Sequence, residues 1–99
     1  MLHIGVLQFT IEIPYAESLK DKRSVVKGLK DRMRRTYNVS IAEIEDLDDP
    51  RTATLGAVVA SNEVAHVNSC LDHILNDLRD LREGSLVDDQ IEIISPRNA

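Results

Sequence analysis

Residues 39–60 read VSIAEIEDLDDPRTATLGAVVA, two β-branched, apolar runs either side of an acidic, proline-containing break. Val39 to Glu45 and Thr52 to Ala60 are strand candidates, and Asp46, Asp48, Asp49 and Pro50 between them supply turn chemistry, so the segment reads as a β-hairpin. Its apolar phase changes between Ile41 and Ile44, an odd step that predicts a bulge or a strand with both faces partly covered. What flanks the hairpin decides the fold. Upstream, Leu19, Val26, Leu29, Met33 and Tyr37 recur at helical spacing, with Ser18 as N-cap, Asp21 three residues on, and Asn38 as the stop. Further upstream, Leu2 to Ile13 alternates Leu7, Phe9, Ile11 and Ile13 with Gln8, Thr10 and Glu12, a strand closed by Pro14. Downstream, Val64, Val67, Leu71, Ile74, Leu78 and Leu81 predict a second helix from about Glu63 to Arg82. Asn62 is its expected cap and Gly84 its expected C-cap. Leu86 to Ile94 is a last strand, with Val87, Ile91 and Ile93 expected on one face, and a short polar tail begins at about Pro96. Gly28, inside the first helix, is expected to mark a close approach to the sheet.

The order strand, helix, strand, strand, helix, strand is the βαββαβ pattern of a ferredoxin-like α+β sandwich. It predicts a four-stranded antiparallel sheet with both helices on one face. Right-handed crossovers put the first and third strands in the centre and the second and fourth at the edges. One domain spans residues 1–99, a length at which two independent cores do not form. Leu2, Ile4 and Val6 are apolar on the side opposite Leu7 and Phe9. An apolar sheet face or edge of this kind predicts a partner subunit, in the simplest case a homo-oligomer.

Hydrophobic residues make up 42% and charged residues 29% of the chain, values that exclude disordered and collagenous classes. No membrane-spanning stretch or signal-peptide pattern is present, and Cys70 is the single cysteine, so a cytoplasmic location is expected. The net charge of -5 conceals an asymmetry: Glu17 to Tyr37 holds eight of the 12 Lys and Arg residues but only three of the 17 acids. Lys20, Arg23, Lys27, Lys30 and Arg34 follow steps of three and four and fall within an arc of about 80 degrees beside the apolar stripe. Such a ridge suits the phosphates of RNA or a ribosome surface, with Lys22 and Arg35 as peripheral charges. Two blander readings compete. One is a solvated helix face helped by an Asp31–Arg35 pair, and the other is a surface for an acidic protein partner.

The run Ser18-Leu19-Lys20-Asp21-Lys22-Arg23, followed by Tyr37-Asn38-Val39-Ser40-Ile41-Ala42-Glu43, resembles the YlxP-like family, a bacterial domain of unknown function. Leu55-Gly56, Ala60-Ser61-Asn62 and the following helix extend the resemblance over nearly the whole chain. It implies a ferredoxin-like fold. It also implies an association with RNA, because genes of the family often sit beside those of transcription, translation and ribosome-maturation factors. Pro50-Arg51 stand where family members carry Trp-Gln in the hairpin loop, so a role resting on that tryptophan does not transfer.

Other constellations point to packing. His66, Cys70 and His73, continued by Asp77, form a row on the second helix. However, i and i+7 are about 10 Å apart along a helix axis, too far for one ion, and a cysteine beside an apolar stripe packs as a small hydrophobe. His3 has no partner within its strand. Glu43, Glu45, Asp46, Asp48 and Asp49 read as a solvated turn, apart from Glu43, which is expected to face the first helix and pair with a basic residue there or cap a backbone donor. Leu55 to Val59 carries no aromatic for base stacking, and no Gly-x-x-Gly loop or phosphate-binding glycine pattern occurs. Cys70 lies mid-helix rather than at an activating N-terminus. The expectation is a non-enzyme with no cofactor and no metal.

Overall fold

The computed structural model describes residues 1–96; the predicted polar tail beyond Pro96 lies outside the described residues. The elements in order are β1 (His3–Glu12), α1 (Leu19–Thr36), β2 (Ser40–Glu45), β3 (Thr52–Ser61), α2 (Val64–Arg79) and β4 (Ser85–Ile94). The strands form one antiparallel sheet in the order β2-β3-β1-β4, with β1 and β3 central as the crossover rule requires. This is the ferredoxin-like sandwich.

The core lies between one sheet face and the two helices. Leu7, Phe9 and Ile11 of β1 oppose Ala57, Leu55 and Ala53 of β3, and all six are buried. Val26, Leu29 and Met33 cover this face from α1; Val67, Leu71, Ile74, Leu75 and Leu78 cover it from α2. Gly5 is where backbone and helix come closest. A Cβ there would sit 2.9 Å from Leu71 Cδ1 and closer still to Val67. The close approach expected at Gly28 is therefore made by Gly5, while Gly28 is exposed with nothing within 4 Å of its missing Cβ.

Both edge strands carry irregularities. Pairing of β2 with β3 shifts between Glu43 and Glu45, so Ile44 is the extra residue; of the two expected readings of the phase change the bulge is the one present, and it lays Ile44 over Gly56. Pairing of β1 with β4 shifts between Thr10 and Ile11, which leaves Val87 unpaired. Leu86 packs against the core in place of the expected Val87, which is 49% exposed.

The helix ends also depart from expectation in part. Ser18 caps α1 as predicted, its Oγ accepting from Asp21 N–H at 3.1 Å, while Asp21 accepts from Glu17 N–H at 2.9 Å. Asn62 does not cap α2, because the helix begins one residue later and Glu63 takes the cap position without a side-chain bond. Ser61 Oγ accepts the Glu63 N–H instead. α2 ends at Arg79 rather than Arg82, so Gly84 is not its C-cap. Gly84 is required sterically, since a Cβ there would collide with the Glu12 carbonyl oxygen.

Candidate functional site

The exposed side of α1 follows from its stripe. With Val26, Leu29 and Met33 fixed on the sheet, Lys20, Arg23, Lys27, Lys30 and Arg34 share one flank along about 21 Å of helix. That flank runs beside β2, to which Arg34 is tied by an Nη2–H bond to Ile41 O at 3.0 Å. Lys27 Nζ meets Asp31 Oδ2 at 2.9 Å, and Arg34 Nη1 lies 3.9 Å from Asp31 Oδ1. The Lys27 hydrogen bond holds the Asp31 carboxyl below the usual carboxylate range against the effect of its own desolvation. The Asp31–Arg35 pair expected from i,i+4 spacing is not formed; Asp31 turns to Lys27 and Arg34 instead. Among the described residues, Lys20, Arg23, Lys30 and Arg35 have no carboxylate within 4.0 Å. Arg35 stands apart from the ridge, on the flank facing α2, where Arg32 pairs with Glu83 at 3.2 Å. A linear row of partly unpaired cations suits a string of phosphates better than a compact ligand.

Lys22 is not part of this surface. It is fully buried, and its ammonium donates to the carbonyl oxygens of Asp46 (2.7 Å), Thr52 (3.1 Å) and Leu47 (3.3 Å). Glu43 Oε2 lies 2.9 Å from the same nitrogen. The three carbonyls take the three ammonium hydrogens, so Glu43 is held by charge rather than by a directed hydrogen bond. The peripheral phosphate contact expected of Lys22 is thereby overturned, because a group at 0% exposure meets no partner. The sequence did contain the signal. Lys22 precedes Val26, Leu29 and Met33 by four, seven and eleven residues, so it stands on the apolar stripe, in the gap between Leu19 and Val26. Glu43, expected to face the first helix and find a basic partner, does so.

The acidic turn is ordered around this ammonium. Asp46 adopts a positive φ of 59°, which aspartate tolerates. Its carboxylate accepts from Thr54 Oγ1 at 2.7 Å, and Thr54 Oγ1 also bonds Thr10 Oγ1 at 3.0 Å. Asp49 accepts the Arg51 N–H at 2.9 Å, a bond that pulls its carboxyl below the usual range. Arg51 itself donates from Nε to Ala16 O at 3.3 Å, and its carbonyl accepts the Ile13 N–H at 2.8 Å. Arg51 thus ties the turn to the end of β1.

The remaining candidates are held by packing or by single contacts. Cys70 is half-buried against the core, and burial pushes its thiol pKa up. His66 and His73 point outward, and no three metal-ligating side chains gather among the described residues. Tyr37 donates its hydroxyl to Asp77; burial first, and then this bond to a carboxylate, push its pKa up to about 12. His3 Nδ1 lies 2.6 Å from Ser95 Oγ, a partner beyond its own strand. A cleft of about 290 Å³ between the helices is lined by Leu29, Met33, Arg32, Arg35, Asp77 and Asp80. It lies at the negative ends of both helix dipoles, where arginines complement the helices themselves. No helix among the described residues is long and apolar enough to cross a membrane.

No curated protein matches this chain. Among solved structures it is similar in fold to three de novo designed proteins. Foldit4 is 11% identical, covering 95% of this chain and 99% of the design, with a TM-score of 0.53. Ferredog-Diesel is 10% identical over 90% of this chain and 83% of the design, with a TM-score of 0.50. LFR1 1, a design with ferredoxin fold, is 19% identical over 100% of this chain and 90% of the design, with a TM-score of 0.50. At such identities the likeness is one of fold alone. Residues 4–91, nearly the whole sandwich, match the family model described as protein of unknown function (DUF503), and the chain belongs to that family.

Proposed function

We propose that this protein is a YlxP-like, non-enzymatic cytoplasmic module that binds RNA or a ribosome surface through the exposed flank of α1. The observation that carries the reading is the concentration of cations there: Lys20, Arg23 and Lys30 without carboxylate partners among the described residues, flanked by Lys27 and Arg34, on a chain otherwise acidic. Contact is to phosphates, by position and charge, with no base readout. Engaging three to five phosphates gives a salt dependence with a log–log slope of roughly -2 to -4. The test is co-sedimentation with ribosomal subunits at low and moderate salt, comparing wild type with Lys20→Glu/Arg23→Glu/Lys30→Glu. These three reversals leave the Lys27–Asp31 pair and the Arg34–Ile41 bond in place, so the fold is spared. Wild-type binding that weakens with salt and disappears in the variant supports the reading; equal behaviour of the two proteins refutes it.

A second reading, a homodimer through the open sheet face, is favoured by one observation. Ile4, Val6, Val58, Ala60 and Ile94 cluster at one end of that face, with Val58 and Ile94 more than 40% exposed. Sedimentation equilibrium of wild type and Val58→Lys separates the two readings, since only a dimer loses mass on that substitution.

A further inference from the structure

We propose that β4 is a docking edge for an extended, basic segment of another protein, which adds beside it as a fifth strand. The two sheet edges differ in how they are protected. β2 is only six residues long, and Arg34 occupies its Ile41 carbonyl; each edge strand carries one bulge, at Ile44 in β2 and at Val87 near the start of β4, so the bulges do not distinguish them. β4 is ten residues long, is paired with β1 along one side only, and contains no Pro, Gly, Lys or Arg. Among the described residues nothing hydrogen-bonds to its outer main-chain edge. A long edge free of lysine and proline is a template for strand addition.

The side chains of β4 state what can add. Pairing with β1 puts Asp88, Gln90 and Glu92 on the open sheet face, opposite Thr10, Gln8 and Val6, and Asp89, Ile91 and Ile93 on the helix face, opposite Phe9, Leu7 and Gly5. Ile91 remains 40% exposed, and Ile93, although it packs against the core, is only half-buried. A strand laid along this edge therefore places apolar side chains beside Ile91 and Ile93, and basic ones beside Asp88 and Glu92. Alternating basic and apolar residues satisfy both faces at once. The same charges reject the other occupants. Two copies paired about Gln90 put Asp88 of each against Glu92 of the other with no cation in the ladder, and a nucleic acid meets only carboxylates. This edge is separated from the α1 ridge by the full width of the sheet, and the proposal does not rest on RNA binding.

The test uses the full-length, ¹⁵N-labelled chain titrated with a blocked peptide of alternating Lys and Val, about ten residues long to match β4. Saturable binding with amide shifts confined to β4 and its β1 neighbours is expected, as is weakening of at least about tenfold in Asp88→Lys/Glu92→Lys. Both residues are exposed, so these reversals leave the core untouched. Two further peptides, N-methylated on every Val or on every Lys, keep the charge and remove one set of donors. One of the two must lose binding to the wild-type chain, because alternate amides of an added strand face β4. The proposal is overturned by an absence of saturable binding, by shifts centred on the Asp46–Asp49 turn, by both methylated peptides binding as tightly as the parent, or by β4 edge amides already protected by self-association before peptide is added.

Discussion

Lys22→Met tests the most unusual contact in the molecule. The substitution keeps an unbranched apolar stem in the space that α1 and the sheet leave, and removes only the ammonium. Three carbonyl oxygens then lose a donor and Glu43 Oε2 loses its counter-charge. Removing one partner of a buried ion pair costs about 3–5 kcal/mol. Asp46 and Leu47 lie in an exposed turn where water reaches part of the vacated site, so we take that figure as the whole effect and add nothing for the carbonyls. Against a total stability of roughly 5–15 kcal/mol for a domain of this length, the variant is left marginal. Its melting temperature falls by roughly 15–30 °C. Urea unfolding followed by far-UV circular dichroism measures this directly, with an unchanged m-value expected, because the same surface is exposed on unfolding. Adding Glu43→Gln removes the stranded carboxylate, and the double variant recovers about 1–3 kcal/mol relative to additivity. A loss below about 1 kcal/mol for Lys22→Met, within the range of ordinary surface substitutions, refutes the anchoring argument. Strict additivity of the two substitutions refutes the pairing with Glu43.

Three further outcomes follow from the same geometry. Gly28→Ala stabilises the protein by about 0.5–1 kcal/mol in urea titration, since the residue is in an exposed helix interior with open space at its Cβ; a destabilisation contradicts the packing described here. Gly5→Ala has the opposite sign, costing about 1–3 kcal/mol as Val67 and Leu71 are pushed off β1, and an unchanged unfolding midpoint argues against the close approach. For Tyr37, the folded state raises the pKa from 10.0 to about 12, so the native chain resists losing this proton more than the unfolded chain does. Its contribution to stability is fully present below pH 10 and is lost as pH rises from there to about 12. Tyr37→Phe removes that alkaline loss, visible as a flatter dependence of the urea midpoint on pH over this interval; identical pH profiles contradict the role given to burial and Asp77.

The order of elements was legible because each has a strong, local signal. The period-2 alternation of Leu7 to Ile13, the three-four spacing of Val26, Leu29 and Met33 and of Val67 to Leu78, and the proline-containing turn between two β-branched runs each specify their own state. Once the order was set, handedness alone fixed which strands are central. The Ile41–Ile44 phase break announced a bulge or a strand covered on both faces for the same reason, as a local departure from period 2. The cationic ridge was legible too, since helical geometry converts spacing into a face without knowledge of what lies beyond it. Other features depended on neighbours distant in the chain. Whether Lys22 faces water or a carbonyl cage depends on where the 46–52 turn folds back. Whether Gly5 or Gly28 receives the other layer depends on how α2 crosses β1. The exchange of Leu86 for Val87 depends on a register shift that only β1 reveals. Periodicity orients a side chain toward a side of its own element, and tertiary packing alone decides what stands there; a lysine on an apolar stripe could therefore be placed by its sequence but not recognised as an anchor until Glu43 and three carbonyls were seen around it.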